Sequence, residues 1–219
     1  MIAQALNYLE AVDHLPTDGI LTLPHATWED FEFLAAELGD RRDVRLSYHQ
    51  GRMEVTMPSP EHEEYVDLIQ DLTRALVREL GLKLESRGTA LLKRELRETG
   101  AQPDGCFYIL NAEKIIGKRV IDLSSDPPPD IVVEVDLSSG SLGKFPIYAA
   151  LGVPEIWRYD SAVFKMYHLV GQEYLEAGAS RAFPFLTAAV MTDMIEQSKF
   201  TGQDEALEYF RRWIQQHKP

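Results

Sequence analysis

The 219-residue chain carries one cysteine, Cys106. A single thiol closes no internal disulfide and supplies no Cys pair for zinc, which fits a reducing compartment. With no catalytic Cys/His context around it, Cys106 reads as a small core residue. No run of eighteen apolar residues occurs, so no membrane span is expected. The opening stretch, MIAQALNYLEAVDHL, has no basic leading segment and carries Glu10 and Asp13 early, unlike a secretory signal. A cytoplasmic protein is the expectation. Positive charge is also scarce: 22 Lys and Arg against 35 Asp and Glu give a formal charge of −13. That argues against coating nucleic acid by bulk electrostatics, but leaves room for a local basic groove or an acidic metal site. The phosphate-binding Gly-x4-Gly-Lys-Ser/Thr loop, His-Glu-x-x-His and Gly-x-Ser-x-Gly are all missing.

What is present is ordinary for a globular chain, with 45% hydrophobic and 26% charged residues. The length suits one generous domain, and no repeat, low-complexity tract or linker divides it. The expectation is a single domain over residues 1–219, with a core from about residue 44 to about 190 and peripheral helices at both ends. Thr27 and Asp30 announce a helix over Trp28–Leu38, stopped by Gly39. Residues 44–57 read as a hairpin turning at Gln50-Gly51. After Pro58-Ser59-Pro60 an amphipathic helix runs from about Glu61 to Leu80, ended by Gly81. Short strands follow around Lys83–Ser86, Ala90–Arg94, Pro103–Leu110, Val120–Leu123 and Ile131–Asp136. A helix over Leu142–Leu151, strands at Glu155–Tyr159 and Phe164–Leu169, and closing helices, the last near Asp204–Gln215, complete the pattern. This order predicts an α/β (α+β) fold: a mixed central sheet with helices on both faces.

The strongest strand is Asp130-Ile131-Val132-Val133-Glu134-Val135-Asp136. Alternation puts Asp130, Val132, Glu134 and Asp136 on one face. An unpaired carboxylate buried in a central strand costs several kcal/mol or takes up a proton, unless a cation compensates. Glu134, mid-run, is therefore a functional candidate. Asp130 and Asp136 read equally well as strand ends emerging into solvent. A second acid, Asp104, stands at a strand start behind Pro103, which cannot continue a central ladder. Pro-Asp-Gly alone is a common turn; it gains weight from the acid-bearing strand some thirty residues later. The basic runs Lys93, Arg94, Arg97 and Lys114, Lys118, Arg119 read either as phosphate contacts or as solvated loops. Trp157, in an alternating strand, reads as core.

Five segments in order, PSPEH (58–62), PDGCFYI (103–109), PPPDIVVEVD (127–136), KFPIY (144–148) and GVPEIWRYD (152–160), resemble the Uma family of restriction-endonuclease-like proteins. That family lies within the PD-(D/E)XK nuclease superfamily, and the likeness spans about residues 25–190. The resemblance implies a bacterial, restriction-endonuclease-like core hydrolysing DNA. Asp104, Glu134 and the Val135 carbonyl would bind Mg²⁺ or Mn²⁺, the ions that hard oxygen ligands favour. The superfamily's lysine, two residues after the acid, is replaced here by Asp136. Lys144, the only lysine between Ile131 and Tyr159, takes its place, the other reading being a solvated helix lysine. The superfamily also places an acid on the first core helix. Among Glu61, Glu63 and Glu64, spacing aligns Glu61 with Tyr65, Leu68 and Leu72, with His62 as its neighbour; helix-end charge stabilisation is the other reading. A homodimer matching the two-fold symmetry of duplex DNA is expected, with Phe183-Pro184-Phe185-Leu186 reading either as one contact or as core. One rival is a degenerate nuclease fold serving as a DNA-binding or assembly module; a second is a metal-dependent hydrolase acting on something other than DNA.

Overall fold

The computed structural model describes residues 2–39, 41, 43–137 and 141–219, without the side chains of residues 2–6, 141 and 142. The helices are α1 (Ile2–Asp13), α2 (Trp28–Leu38), α3 (Pro60–Glu79), one-turn α4 (Ala112–Ile115), α5 (Phe145–Leu151), α6 (Ala188–Thr201) and α7 (Gln203–His217). The strands are β1 (Ile20–Leu23), β2 (Arg45–His49), β3 (Arg52–Thr56), β4 (Glu85–Ser86), β5 (Leu92–Arg94), β6 (Thr99–Ala101), β7 (Gly105–Tyr108), β8 (Ile131–Val135), β9 (Glu155–Tyr159), β10 (Phe164–Val170) and β11 (Glu173–Ala177).

Local chemistry accounts for several boundaries. Thr27 and Asp30 form a reciprocal capping box at the start of α2. Gln50 and Gly51 both adopt positive φ in the turn between β2 and β3, as a tight hairpin requires. Ser59 caps α3 by accepting the N–H of His62, and Pro60 occupies the first turn, where a missing N–H costs nothing.

The strands form two sheets where the sequence predicts one. The first is antiparallel, ordered β1-β3-β2-β6-β5, with α1 and α2 packed on it. The second is mixed, ordered β11-β10-β9-β8-β7-β4, with β8 and β9 its parallel pair. The chain passes between sheets at Gln102-Pro103. Gln102 still bonds Leu46 of β2 through both its main chain and its side chain; proline then ends that ladder. Asp104, next along, donates its N–H to the Val133 carbonyl (3.1 Å) of the second sheet.

β8 is buried throughout. Ile131, Val133 and Val135 face a core built with α3, α6 and α7, while Val132 faces one built with α5. α5 is thus held between the second sheet and β5 and β6 of the first. The C-terminal helices are not peripheral: Met191, Met194, Ile195, Phe210 and Ile214 belong to the larger core. Phe183 and Leu186 lie there too, and Phe185 stacks on Trp213, so this segment is spent on packing within the chain instead of forming an outer contact. Nor is the N-terminal part only helical, since β1 extends the first sheet. Val120–Leu123 forms no strand, and Val120 is exposed. No helix among the described residues is long and apolar enough to cross a membrane.

Candidate active site

The β7–β8 register sets Gly105 opposite Val133; one step further along, Asp104 comes to Glu134 on the same face. Both carboxylates border a cleft of about 140 Å³ whose opposite wall comes from the first sheet, around Gly19, Glu54 and Met57. His62, Asp136 and Lys144 border it as well. Val135 joins them although its side chain packs in the larger core, so its main chain faces the cleft.

Asp104 is 2% exposed. Oδ1 accepts from Arg45 Nε (3.2 Å), and Oδ2 accepts from the Val135 N–H (2.9 Å) and from His62 Nε2 (3.0 Å). Burial alone would raise its pKa, but the His62 bond and charge, aided by Lys144 and Arg45, lower it to about 2. For His62, burial works downward and is outweighed by Asp104 and Glu63, which raise it to about 9. The two therefore form an ion pair, with Nδ1 of His62 3.5 Å from Glu63, longer than a good hydrogen bond. Arg45 comes from the first sheet and also donates to Glu63 (2.7 Å), tying α3, β2 and Asp104 together.

Glu134 is 1% exposed. Lys144 Nζ donates to its Oε2 (2.8 Å), and the Tyr148 hydroxyl donates to its Oε1. Burial chiefly, then the charge of Asp104, raises the Glu134 pKa to about 7 against the opposing pull of Lys144 and Tyr148. The Lys144 ammonium is held charged: burial opposes it, but Glu134 and Asp104 prevail. It is not the solvated lysine of the alternative reading, its side chain being 12% exposed.

Other candidates fall elsewhere. Glu61 is exposed and outside the cleft, correcting the expectation that it points inward. The line through residues 61, 65 and 68 turns toward α6, where Tyr65 meets Lys199, while His62, Val66 and Ile69 are buried beside it. Asp130 is structural: it accepts from the N–H groups of Ile109 (2.6 Å) and Asn111 (3.0 Å) and from the Asn111 side chain (2.7 Å). Asp136 pairs with Arg158 (2.5 Å), whose backbone neighbours Glu134 across the β8–β9 ladder. Arg94 and Arg97 donate to the carbonyls at the end of α5, and Lys93 pairs with Glu32, so these cations serve the fold. Two functional candidates escape the sequence reading. Arg45 gives no sequence signal, whereas Tyr148 stands four residues after Lys144 within the segment KFPIY.

Among the described residues no group of three or more Asp, Glu, His or Cys side chains is arranged as a metal site. What exists is a carboxylate pair with adjacent main chain. The donor chemistry nevertheless fits a hard divalent cation: one acid is firmly ionised, and the other is kept partly protonated by burial and its neighbour's charge.

A family model described as "Uma2: Putative restriction endonuclease" matches residues 28–195. The chain belongs to the Uma2 family. Asp104, Glu134, Lys144 and Tyr148 all lie inside the matched stretch. Among solved structures, the chain is similar to that of "a putative nuclease belonging to DUF820" from Anabaena variabilis ATCC 29413. Identity is 13%, coverage is 84% of this chain and 98% of that one, and the TM-score is 0.50. At that identity the likeness is one of fold, the mixed α/β arrangement described above. No curated protein matches the chain.

Proposed function

We propose that this Uma2-family chain is a metal-dependent endonuclease that hydrolyses phosphodiester bonds in DNA. The supporting observation is the convergence of Asp104, Glu134 and a charged, half-buried Lys144 on one cleft. Asp104, Glu134 and the Val135 carbonyl would hold Mg²⁺ or Mn²⁺. Such a cation, when bound, neutralises charge on the attacked phosphate and makes a water acidic enough to act as nucleophile. The protein's own groups supply the rest. His62 and Arg45 keep Asp104 ionised and fixed. Lys144 brings a permanent positive charge beside Glu134, where it can donate to a phosphate oxygen or orient the attacking water. A cleft otherwise rich in carboxylates, with Asp18, Glu54 and Asp136 at its border, repels a phosphodiester unless cations compensate. Two-fold assembly into a homodimer would present two such clefts to the two strands of a duplex.

Purified protein incubated with supercoiled plasmid, with and without Mn²⁺, tests the reading. Metal-dependent nicking or linearisation that disappears with Glu134→Gln supports it; no cleavage with any divalent metal removes it. A second reading, a nuclease fold that binds DNA or assembles without cutting, draws on Asp136. The superfamily's lysine position is here an acid paired with Arg158. DNA retention without cleavage would favour that reading.

A further inference from the structure

We infer that Tyr148 is a positioning residue that fixes the carboxylate of Glu134 for metal binding. This rests on the metal-dependent reading of the site and adds a residue which that reading does not use.

Lys144 and Tyr148 are four residues apart, across the start of α5, so both reach the same side of the turn. They divide the carboxylate between them: Lys144 takes Oε2 and Tyr148 takes Oε1. The two donors differ in what they can give up. Lys144 borders the cleft and can turn toward a phosphate or a water there. Tyr148 is 0% exposed and packed with Cys106, Val132, Ile147 and Leu151, and does not border the cleft. Its hydroxyl therefore stays on Oε1 whatever enters. One oxygen of Glu134 is anchored from behind, leaving the other for the cleft side. A carboxylate with one oxygen fixed loses its side-chain rotation in advance, and that lost freedom need not be supplied when a cation binds. Partners behind a ligating carboxylate commonly matter about 10–100-fold to metal affinity or rate.

The test is Tyr148→Phe, which removes the hydroxyl and keeps the ring. Mn²⁺ alone is the probe, and its midpoint is read from the rise in melting temperature, so no turnover is needed. The midpoint is expected to move up about tenfold, and plasmid cleavage to fall through kcat with KM for plasmid little changed. In a Glu134→Gln background the same substitution should change nothing further. A role confined to packing would lower the metal-free melting temperature and leave the Mn²⁺ midpoint where it was; that result overturns the proposal. Should Tyr148→Phe not fold, 3-fluorotyrosine placed at position 148 keeps the hydroxyl and gives a ¹⁹F resonance. It should shift on adding Mg²⁺ and stay still when Glu134 is Gln, and an unmoved resonance in the otherwise wild-type protein refutes the link. A wild type that binds Mn²⁺ but never cleaves, with the midpoint moved by Tyr148→Phe, removes the nuclease reading and leaves Tyr148 standing. A wild type indifferent to all divalent metals overturns both.

Discussion

Metal-free protein should lose stability as pH rises from about 4.5 to 7, with Glu134 carrying much of that loss and Glu155, also raised by burial, adding to it. Its folded-state pKa, about 7, lies above the ordinary 4.5. The folded state thus prefers the protonated acid, and this contribution is complete below pH 4.5 and lost as pH climbs through 7. The difference, at about 1.4 kcal/mol per pH unit, amounts to roughly 3 kcal/mol. For a chain of this length that is a fall of roughly 6–12 °C in melting temperature. Asp104 acts in the opposite sense but outside this window, its stabilisation being lost only as pH falls from 3.8 through about 2. His62, held up at about 9, adds a loss between 6.5 and 9 that remains when position 134 is changed. The assay is thermal melting in chelator from pH 4.5 to 8, wild type against Glu134→Gln. The variant should start from a different baseline and show a flatter profile below pH 7. Adding Mn²⁺ at about 100 times its Kd should return about 2.7 kcal/mol to the wild type at pH 8. Parallel profiles for the two proteins would refute the assignment of the burden to Glu134.

Arg45→Ala should cost about 2–3 kcal/mol in urea unfolding, because buried Asp104 loses one donor while keeping His62 and the Val135 N–H, and Glu63 loses its closest partner. Asp130→Ala should destabilise by about 2–4 kcal/mol, leaving three donors unpaired, yet keep the Mn²⁺-induced rise in melting temperature. Lys144→Met should lower plasmid cleavage at least about 100-fold while the protein stays folded. In NMR of metal-free protein, the His62 ring should remain protonated past pH 8, whereas Asp104→Asn should return it toward 6.5.

The acids of the candidate site are legible because a carboxylate inside a β-branched run violates strand chemistry, and Glu134 does so in plain view. The hairpin and α2 are legible because their turn and cap residues act locally. Glu61 misleads for a physical reason. α3 lies between the second sheet and α7, so it carries two apolar lines, 61/65/68/72 and 62/66/69/73. Periodicity finds both but cannot say which faces the sheet. β1 and β6 are short, and partners distant in sequence, β3 and β2, help define them. Val120 misleads in the opposite way, a β-branched residue left exposed in a turn. Arg45 owes its role to a contact 59 residues away, which no local pattern encodes.

The crossing at Gln102-Pro103 bears on the order in which the molecule can fold. The β2–β3 hairpin and α3 are built from neighbours in sequence and can form early. Asp104 acquires its partners only when both sheets exist, since Arg45 reaches it from one and the Val135 N–H from the other. Contacts so distant in sequence carry a larger loop-closure cost than local ones and are expected after them. The carboxylate pair is thus expected to assemble after the hairpin and α3. A partly folded chain would carry strands and helices but not the paired carboxylates, so the proposed chemistry would wait until the two sheets have met.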